Sequence, residues 1–489
     1  MVEKQIPETI RDTHPGFVDA TVGTYEEIKG KIEKKCLKNA HRKFAQGIQC
    51  LQYNSVNVLL SLQDTVMVVH SPLGCAACGA LRGIERLNVY KHHMGQADAK
   101  ESRIISTALG EKEVILGGET RLKETIDEAV ARHHPKIVFI LSSCAAAIIG
   151  DDIDAVAEKM EKKYKSEGIL FAPVHCEGFK AKNHATGYDL ALATIQNYVI
   201  RLARPPKKKG LINLFTPHTV SYADQLEMKR MLKAIGLDAN VMPYNATYQD
   251  IMNIPAAEYN ISVCQIYADD YMRFLKEKYG IPFAKTCMPV GTRSTDLWLR
   301  SIAKIAGKEK EAEEFIARER AAVMDEINEI KKKTQGLKAF ITAGTGRGFA
   351  AATIIGDYGM KLLAMHTPYY EDAYIDDFKL IEELHGSGFL INVAEIQPYQ
   401  QVNLVKKYNP DIFIGLSIWT SRLGINTTHI LDPKRFTFGY RGALYLGRKI
   451  SDALSNNNFN RKLSKHTRLP YRDSWFEEDA FKYVEFPEE

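Results

Sequence analysis

The sequence predicts an α/β protein of three domains, each a parallel sheet flanked by helices. Three observations carry this reading. Short apolar runs recur at residues 65–70, 137–141, 211–215, 261–264, 339–342, 389–393 and 411–415. Charged amphipathic stretches of helical length lie between them, at 152–165, 221–235, 268–279 and 308–333. Two interruptions, Pro205-Pro206-Lys207-Lys208-Lys209-Gly210 and Lys331-Lys332-Lys333-Thr334-Gln335-Gly336, are each followed by a fresh apolar run. Strand-length runs alternating with helix-length stretches are the pattern of βα units with parallel strands. The interruptions set domain boundaries near 1–206, 207–335 and 336–489. In sheets built this way, ligands gather where strands end and helices begin.

The length of 489 residues agrees with about three domains. A net charge of +5 is mild for such a length, and no dense basic stripe is interleaved with aromatics, so no nucleic-acid partner is expected. Residues 1–11 are polar and broken by Pro7, unlike a secretion signal. No apolar run reaches membrane-spanning length. The expectation is a cytoplasmic protein with no membrane partner. Eight cysteines are too few for a disulfide scaffold, and a reducing compartment would keep them as thiols.

Taken singly, each cysteine reads as a small buried hydrophobe. Context changes that for three of them. Cys50 sits in Gln49-Cys50-Leu51-Gln52. Cys75 follows a strand within Ser71-Pro72-Leu73-Gly74-Cys75-Ala76-Ala77-Cys78-Gly79. Cys144 follows the next strand within Ser142-Ser143-Cys144-Ala145-Ala146-Ala147. Tiny neighbours let a bulky inorganic group approach the backbone, and helix N-termini favour thiolates. The Cys75–Cys78 pair alone is open to zinc, a redox dithiol or a cluster.

These segments, with Ile148-Ile149-Gly150-Asp151-Asp152-Ile153 and Pro173-Val174-His175-Cys176-Glu177-Gly178-Phe179, resemble the alpha subunits of nitrogenase component 1 in order and approximate spacing. The resemblance runs from about residue 45 to residue 455. It implies a nitrogenase component 1-like fold. It also implies a P-cluster-type 8Fe-7S cluster held by Cys50, Cys75 and Cys144 and shared with a beta-type subunit in an α2β2 complex. Cys176 is expected to be structural. The chain has no P-loop of its own, so the resemblance adds an ATP-dependent iron–sulfur reductase protein as electron donor.

The resemblance extends downstream. Fourteen residues separate Cys264 from Tyr279-Gly280-Ile281-Pro282, the interval of the family's cofactor-ligating cysteine. His429 stands ten positions before Gly439-Tyr440-Arg441-Gly442, the interval of its cofactor-ligating histidine. Arg347, in Gly344-Thr345-Gly346-Arg347-Gly348, stands twelve positions before Gly359, as does a cofactor-contacting arginine. Arg82 resembles a second such arginine with the spacing one residue off. The implied cofactor is a nitrogenase-type Fe-S-carbide cluster whose heterometal and organic acid are unassigned. Thiolate and imidazole are suitable iron ligands, and a guanidinium beside an electron-rich cluster is favourable. The cluster cysteines thus fall in the first domain, Cys264 in the second, and Arg347 and His429 in the third.

One segment departs from the dinitrogenases. Where they carry Gln-x-x-Gly-His-His, this sequence reads His184-Ala185-Thr186-Gly187-Tyr188-Asp189. A phenol with an ordinary pKa of about 10 replaces an imidazole and relays protons less readily at neutral pH. The resemblance implies His184, Tyr188 and Arg347 as the catalytic residues, with His184 placed to take over the relay. The cofactor-assembly scaffold of the family generally lacks the tethering histidine, and the dark-operative protochlorophyllide reductases lack the Cys264/His429 pair. The pattern that is left resembles the nitrogenase-like methylthio-alkane reductases. It implies reductive C–S cleavage of small-molecule substrates, with a dinitrogenase or an assembly scaffold as the alternatives.

Overall fold

The computed structural model describes residues 21–33, 41–43, 50–77, 103–180, 186–264, 267–367, 375–393, 397–415, 419–432, 434–456 and 458–485. The chain forms two compact units. Among the described residues, those from 50 to 225 and from 237 to 284 build one, and those from 21 to 43, 226 to 236 and 285 to 485 build the other.

The first unit holds two four-stranded parallel sheets. In one the strand order is Ile104–Ser106, Thr65–His70, Ile137–Ser142, Leu170–Val174. The two central strands are buried along their whole length, as parallel strands covered on both faces should be. Val66, Val68, Val138 and Ile140 pack with Leu122, Ile126 and Val130 of helix Glu119–His133 and with Ile153, Val156 and Met160 of helix Ile153–Lys163. Each such side chain contributes about 1.5–3 kcal/mol on burial. Helix Ile153–Lys163 starts where the Asp152 side chain accepts the Ala155 N–H at 2.9 Å, an N-cap.

The second sheet of this unit is ordered Phe283–Ala284, Tyr259–Ser262, Leu211–Thr216, Asp238–Pro243. A ladder of buried amides crosses it. Asn213 donates to Asn260 Oδ1 at 2.8 Å, and Asn240 donates to Asn213 Oδ1 at 3.1 Å. These polar groups satisfy one another away from water, which removes the cost of burying them.

The second unit carries a six-stranded sheet ordered Thr21–Thr24, Leu390–Val393, Lys361–Thr367, Lys338–Thr342, Ile412–Gly415, Asn426–Thr428. The first of these strands is an antiparallel edge and the rest are parallel. Gly415, at φ 153°, lies so close to Thr342 that a β-carbon would stand 1.8 Å from its carbonyl oxygen. Only glycine fits that position. The charged stretch expected as one helix over 308–333 is two, Glu309–Ala321 and Met324–Thr334. Between them the turn tightens, with the Val323 N–H donating to the Arg320 carbonyl three residues back. No helix among the described residues is long and apolar enough to cross a membrane.

Candidate metal-cluster sites

Strand register collects the first set of predicted residues. His70 lies opposite Ser142, and Leu141 opposite Val174. The segments carrying Cys75, Cys144 and Cys176 to Gly178 therefore leave one carboxyl edge. Cys144 opens helix Cys144–Ile149, whose cap is Ser143 Oγ accepting the Ala146 N–H at 3.3 Å. Cys50 is the N-cap residue of helix Leu51–Leu59. Gly178 stands between the two thiols. Its N–H donates to Cys144 Sγ at 3.2 Å. A β-carbon there would lie 3.0 Å from Cys50 Sγ and 3.3 Å from Cys144 Sγ.

Burial pushes the Cys50 thiol pKa up, and the nearby Cys144 adds to the rise against a backbone hydrogen bond at Gln52. Two thiolates so placed repel each other, and bound cations reverse that balance by favouring both. With an N–H already aimed at sulfur, the pair fits cluster ligation. Cys75 is exposed, and its N–H donates to the Pro72 carbonyl at 3.2 Å. Among the described residues no group of three or more His, Cys, Asp or Glu converges at metal-binding spacing. Of the predicted trio, the structure brings Cys50 and Cys144 together. Cys176 is fully buried with Sγ 3.3 Å from the Ser142 carbonyl, in keeping with a structural role.

The surroundings are ordered by charge. His70 Nε2 lies 2.8 Å from Asp151 Oδ2, and Asp151 also accepts the Gly118 N–H at 2.9 Å. Burial holds the His70 pKa low, against the pull of Asp151. Burial opposes ionisation of Glu177, yet His175 and Lys180 hold its pKa down to about 2, with Lys180 Nζ at 3.0 Å. The hydrogen bond to Asp154, at 2.8 Å, and the Glu177 carboxylate 3.6 Å from Nδ1 raise the His175 pKa to about 9. Around the thiols the surface is apolar. Leu73, Ile148 and Phe179 are 65%, 77% and 59% exposed, and Val114, Ile115 and Leu116 of the adjoining helix Glu111–Leu116 are exposed as well. Large apolar side chains clustered in water mark an interaction face.

Cys264 is buried at the carboxyl end of the second sheet, two residues beyond strand Tyr259–Ser262. Ser262 Oγ accepts the Cys264 N–H at 3.3 Å and donates to its carbonyl at 2.7 Å, and the Tyr267 N–H donates to the same carbonyl at 3.0 Å. Tyr188 stands in the first turn of helix Thr186–Tyr198. That helix approaches Leu51–Leu59 closely because residue 187 is glycine; a β-carbon would lie 2.5 Å from Asn54 Cβ. The Tyr188 ring centroid is 5.1 Å from Tyr267 and 6.0 Å from His218.

In the second unit, Arg347 lies in the first turn of helix Thr345–Asp357 and His429 just beyond strand Asn426–Thr428. Arg347 is buried with its guanidinium 5.6 Å from the Phe438 ring centroid, a favourable cation–π placement. Burial lowers the His429 pKa, and the Lys449 and Arg347 charges add to the effect. His429 Nδ1 is buried with no hydrogen-bond partner among the described residues. A neutral imidazole with an unused ring nitrogen fits a metal ligand. Cys287, with Sγ 3.2 Å from the Ser294 carbonyl, has its pKa raised by burial. Arg82, His184, Cys36 and Cys78 lie outside the described residues.

Sequence reasoning singled out the Cys176 segment for its thiol and passed over Gly178. It also passed over His218, whose signal was its place two residues after an apolar strand.

The profile of nitrogenase component 1 type oxidoreductases matches residues 52–455. The chain belongs to that family. A nitrogenase iron-molybdenum cofactor biosynthesis protein NifE from Clostridium pasteurianum is 30% identical over 417 residues, 82% of this chain and 86% of its own length. A nitrogenase molybdenum-iron protein alpha chain from Methanococcus maripaludis is 26% identical over 471 residues, 93% and 95% of the two chains. The solved structure titled "Nitrogenase Cp1 at pH 5" superposes with a TM-score of 0.76 at 23% identity, covering 96% of this chain and 99% of that one. The fold expected from the sequence, α/β with parallel sheets flanked by helices, is that of nitrogenase component 1. The family match takes in Cys75, Cys144, Cys264, Arg347 and His429 and begins two residues after Cys50. Nitrogenase component 1 type oxidoreductases are iron–sulfur proteins, so the thiol pair and the imidazole with an unused Nδ1 lie in a chain of the chemistry they suit.

Proposed function

We propose that this chain is the catalytic subunit of a nitrogenase-like reductase that cleaves the C–S bond of small methylthio-alkanes. The observation that carries the reading is His429, whose buried Nδ1 has no partner among the described residues. An imidazole held ready in this way suits a protein that retains a cofactor.

In this proposal Cys50, Cys75 and Cys144 hold half of a P-cluster-type iron–sulfur cluster, and a beta-type subunit in an α2β2 complex holds the other half. The exposed Leu73, Ile148 and Phe179 beside the thiols support a second chain on that face. Cys264 and His429 are the ligands of the nitrogenase-type Fe-S-carbide cofactor, with Arg347 and Arg82 beside it as permanent positive charges. When bound, the cofactor supplies reducing equivalents and open iron positions. An ATP-dependent iron–sulfur reductase protein delivers the electrons. His184 and Tyr188 supply protons. Cleaving one methyl–sulfur bond takes two electrons and two protons and leaves a thiol and methane. Dinitrogen needs six electrons with matching protons, a heavier demand on a site where a phenol stands in place of an imidazole.

Two alternatives rest on the relatives. The 30% identity to a cofactor biosynthesis protein favours an assembly scaffold, and the alignment with a molybdenum-iron protein alpha chain over 93% of this sequence favours a dinitrogenase. Cofactor retention separates the enzymes from the scaffold. The anaerobically purified complex should keep its cofactor and turn over substrate. Donation of the cofactor to a cofactor-free reductase, without turnover, would establish the scaffold instead.

A further inference from the structure

We propose that His218 is the proton-carrying partner of Tyr188, a positioning and relay residue for the reductase reaction proposed above, on which this inference rests. Parallel strands place it. His218 follows strand Leu211–Thr216 by two residues, as Cys264 follows strand Tyr259–Ser262, and Phe215 lies opposite Ser262 in the register. His218 and Cys264 therefore leave the same carboxyl edge on neighbouring strands, where such sheets place their chemistry.

The ring geometry supplies the second argument. Tyr188 contacts two rings, Tyr267 at a centroid distance of 5.1 Å and His218 at 6.0 Å, tilted by 56° and 55°. Exposure falls along this series. His218 is half-buried, Tyr188 is 6% exposed and Tyr267 is fully buried. The imidazole is thus the member of the series that meets water, and both phenols are screened from it.

The chemistry follows from that order. A phenol of ordinary pKa, about 10, holds its proton at neutral pH and must regain it quickly after giving it up. Imidazole is the side chain suited to take protons from water and pass them on. Tyr188 releases its phenolic proton toward the reacting side, and the His218 imidazolium N–H replaces it. One proton moves per pass and no electrons do. Neutral imidazole remains and takes its next proton from water. His218 thereby offsets the slow relay that Tyr188 would be alone.

The test uses the holo-complex with its reductase protein. His218→Gln should lower turnover of dimethyl sulfide by roughly 10²-fold, the scale of one general acid, and should enlarge the solvent deuterium isotope effect. Its iron content and resting EPR spectrum should match the wild type. Added imidazole should restore part of the rate in His218→Ala and none in Tyr188→Phe. A crystal structure of the complex should place an imidazole nitrogen within about 3.2 Å of Tyr188 Oη, directly or through one water. Wild-type turnover with His218→Gln unchanged would overturn this inference alone, as would a crystal structure with neither contact. A wild-type complex that holds its iron and turns over nothing would sink the reductase reading and this inference with it.

Discussion

The Gly178 N–H donates to Cys144 Sγ at 3.2 Å while the same residue stands against Cys50 Sγ. A backbone donor and a missing side chain thus define the space between two thiols. Gly178→Ala would put a β-carbon 3.0 Å from Cys50 Sγ, in a region where overpacking costs about 1–3 kcal/mol. The variant complex should fold, keep its cofactor signal and lose most of the iron of the thiol-bound cluster. Anaerobic iron analysis with EPR checks this. Full iron content would show that the glycine does not shape a cluster site.

His175 and Glu177 set a pH window for stability. The folded pKa of His175 is raised to about 9, so its contribution is fully present below its unfolded value of about 6.5 and is lost as pH rises through 9. The folded pKa of Glu177 is depressed to about 2, so its contribution is present above an unfolded value of about 4.3 and is lost as pH falls through 2. Thermal melts between pH 6 and 10 should show the wild type losing stability faster than His175→Gln as the alkaline limb is climbed. Parallel curves would refute the assignment.

His429→Ala removes an imidazole whose burial favours the neutral form. The proposal expects a complex that keeps the EPR signal of the thiol-bound cluster and loses the cofactor signal. Retention of both signals would remove His429 from the ligand set.

Gly415→Ala would push a methyl group against the Thr342 carbonyl, 1.8 Å from the β-carbon position. Neither atom can move without breaking the pairing of Lys338–Thr342 with Ile412–Gly415. A loss of more than about 3 kcal/mol is expected, read as insoluble protein or a collapse in Tm. A wild-type melt would contradict the sheet geometry.

Much of the fold was legible in the sequence because fully buried parallel strands are written as apolar runs. All seven predicted runs fall on strands of the three main sheets. Asn426–Thr428 was not legible, because an edge strand of three polar residues carries no apolar signal, although it delivers His429. Candidate residues could be singled out where the chemistry resides in a side chain, as at Cys144, Cys264 and Arg347. It was illegible where the contribution is a backbone N–H or an absent β-carbon, as at Gly178. Nor could one sequence place His218 beside Tyr188, since their contact depends on a helix approach that Gly187 permits and on the register of another sheet.

The central claim is C–S bond cleavage, and one measurement addresses it most directly. The purified complex and its reductase protein are supplied with ATP and dimethyl sulfide under dinitrogen, and the products are quantified together. The account predicts methane and methanethiol with no ammonia. Ammonia without methane would contradict it and identify a dinitrogenase.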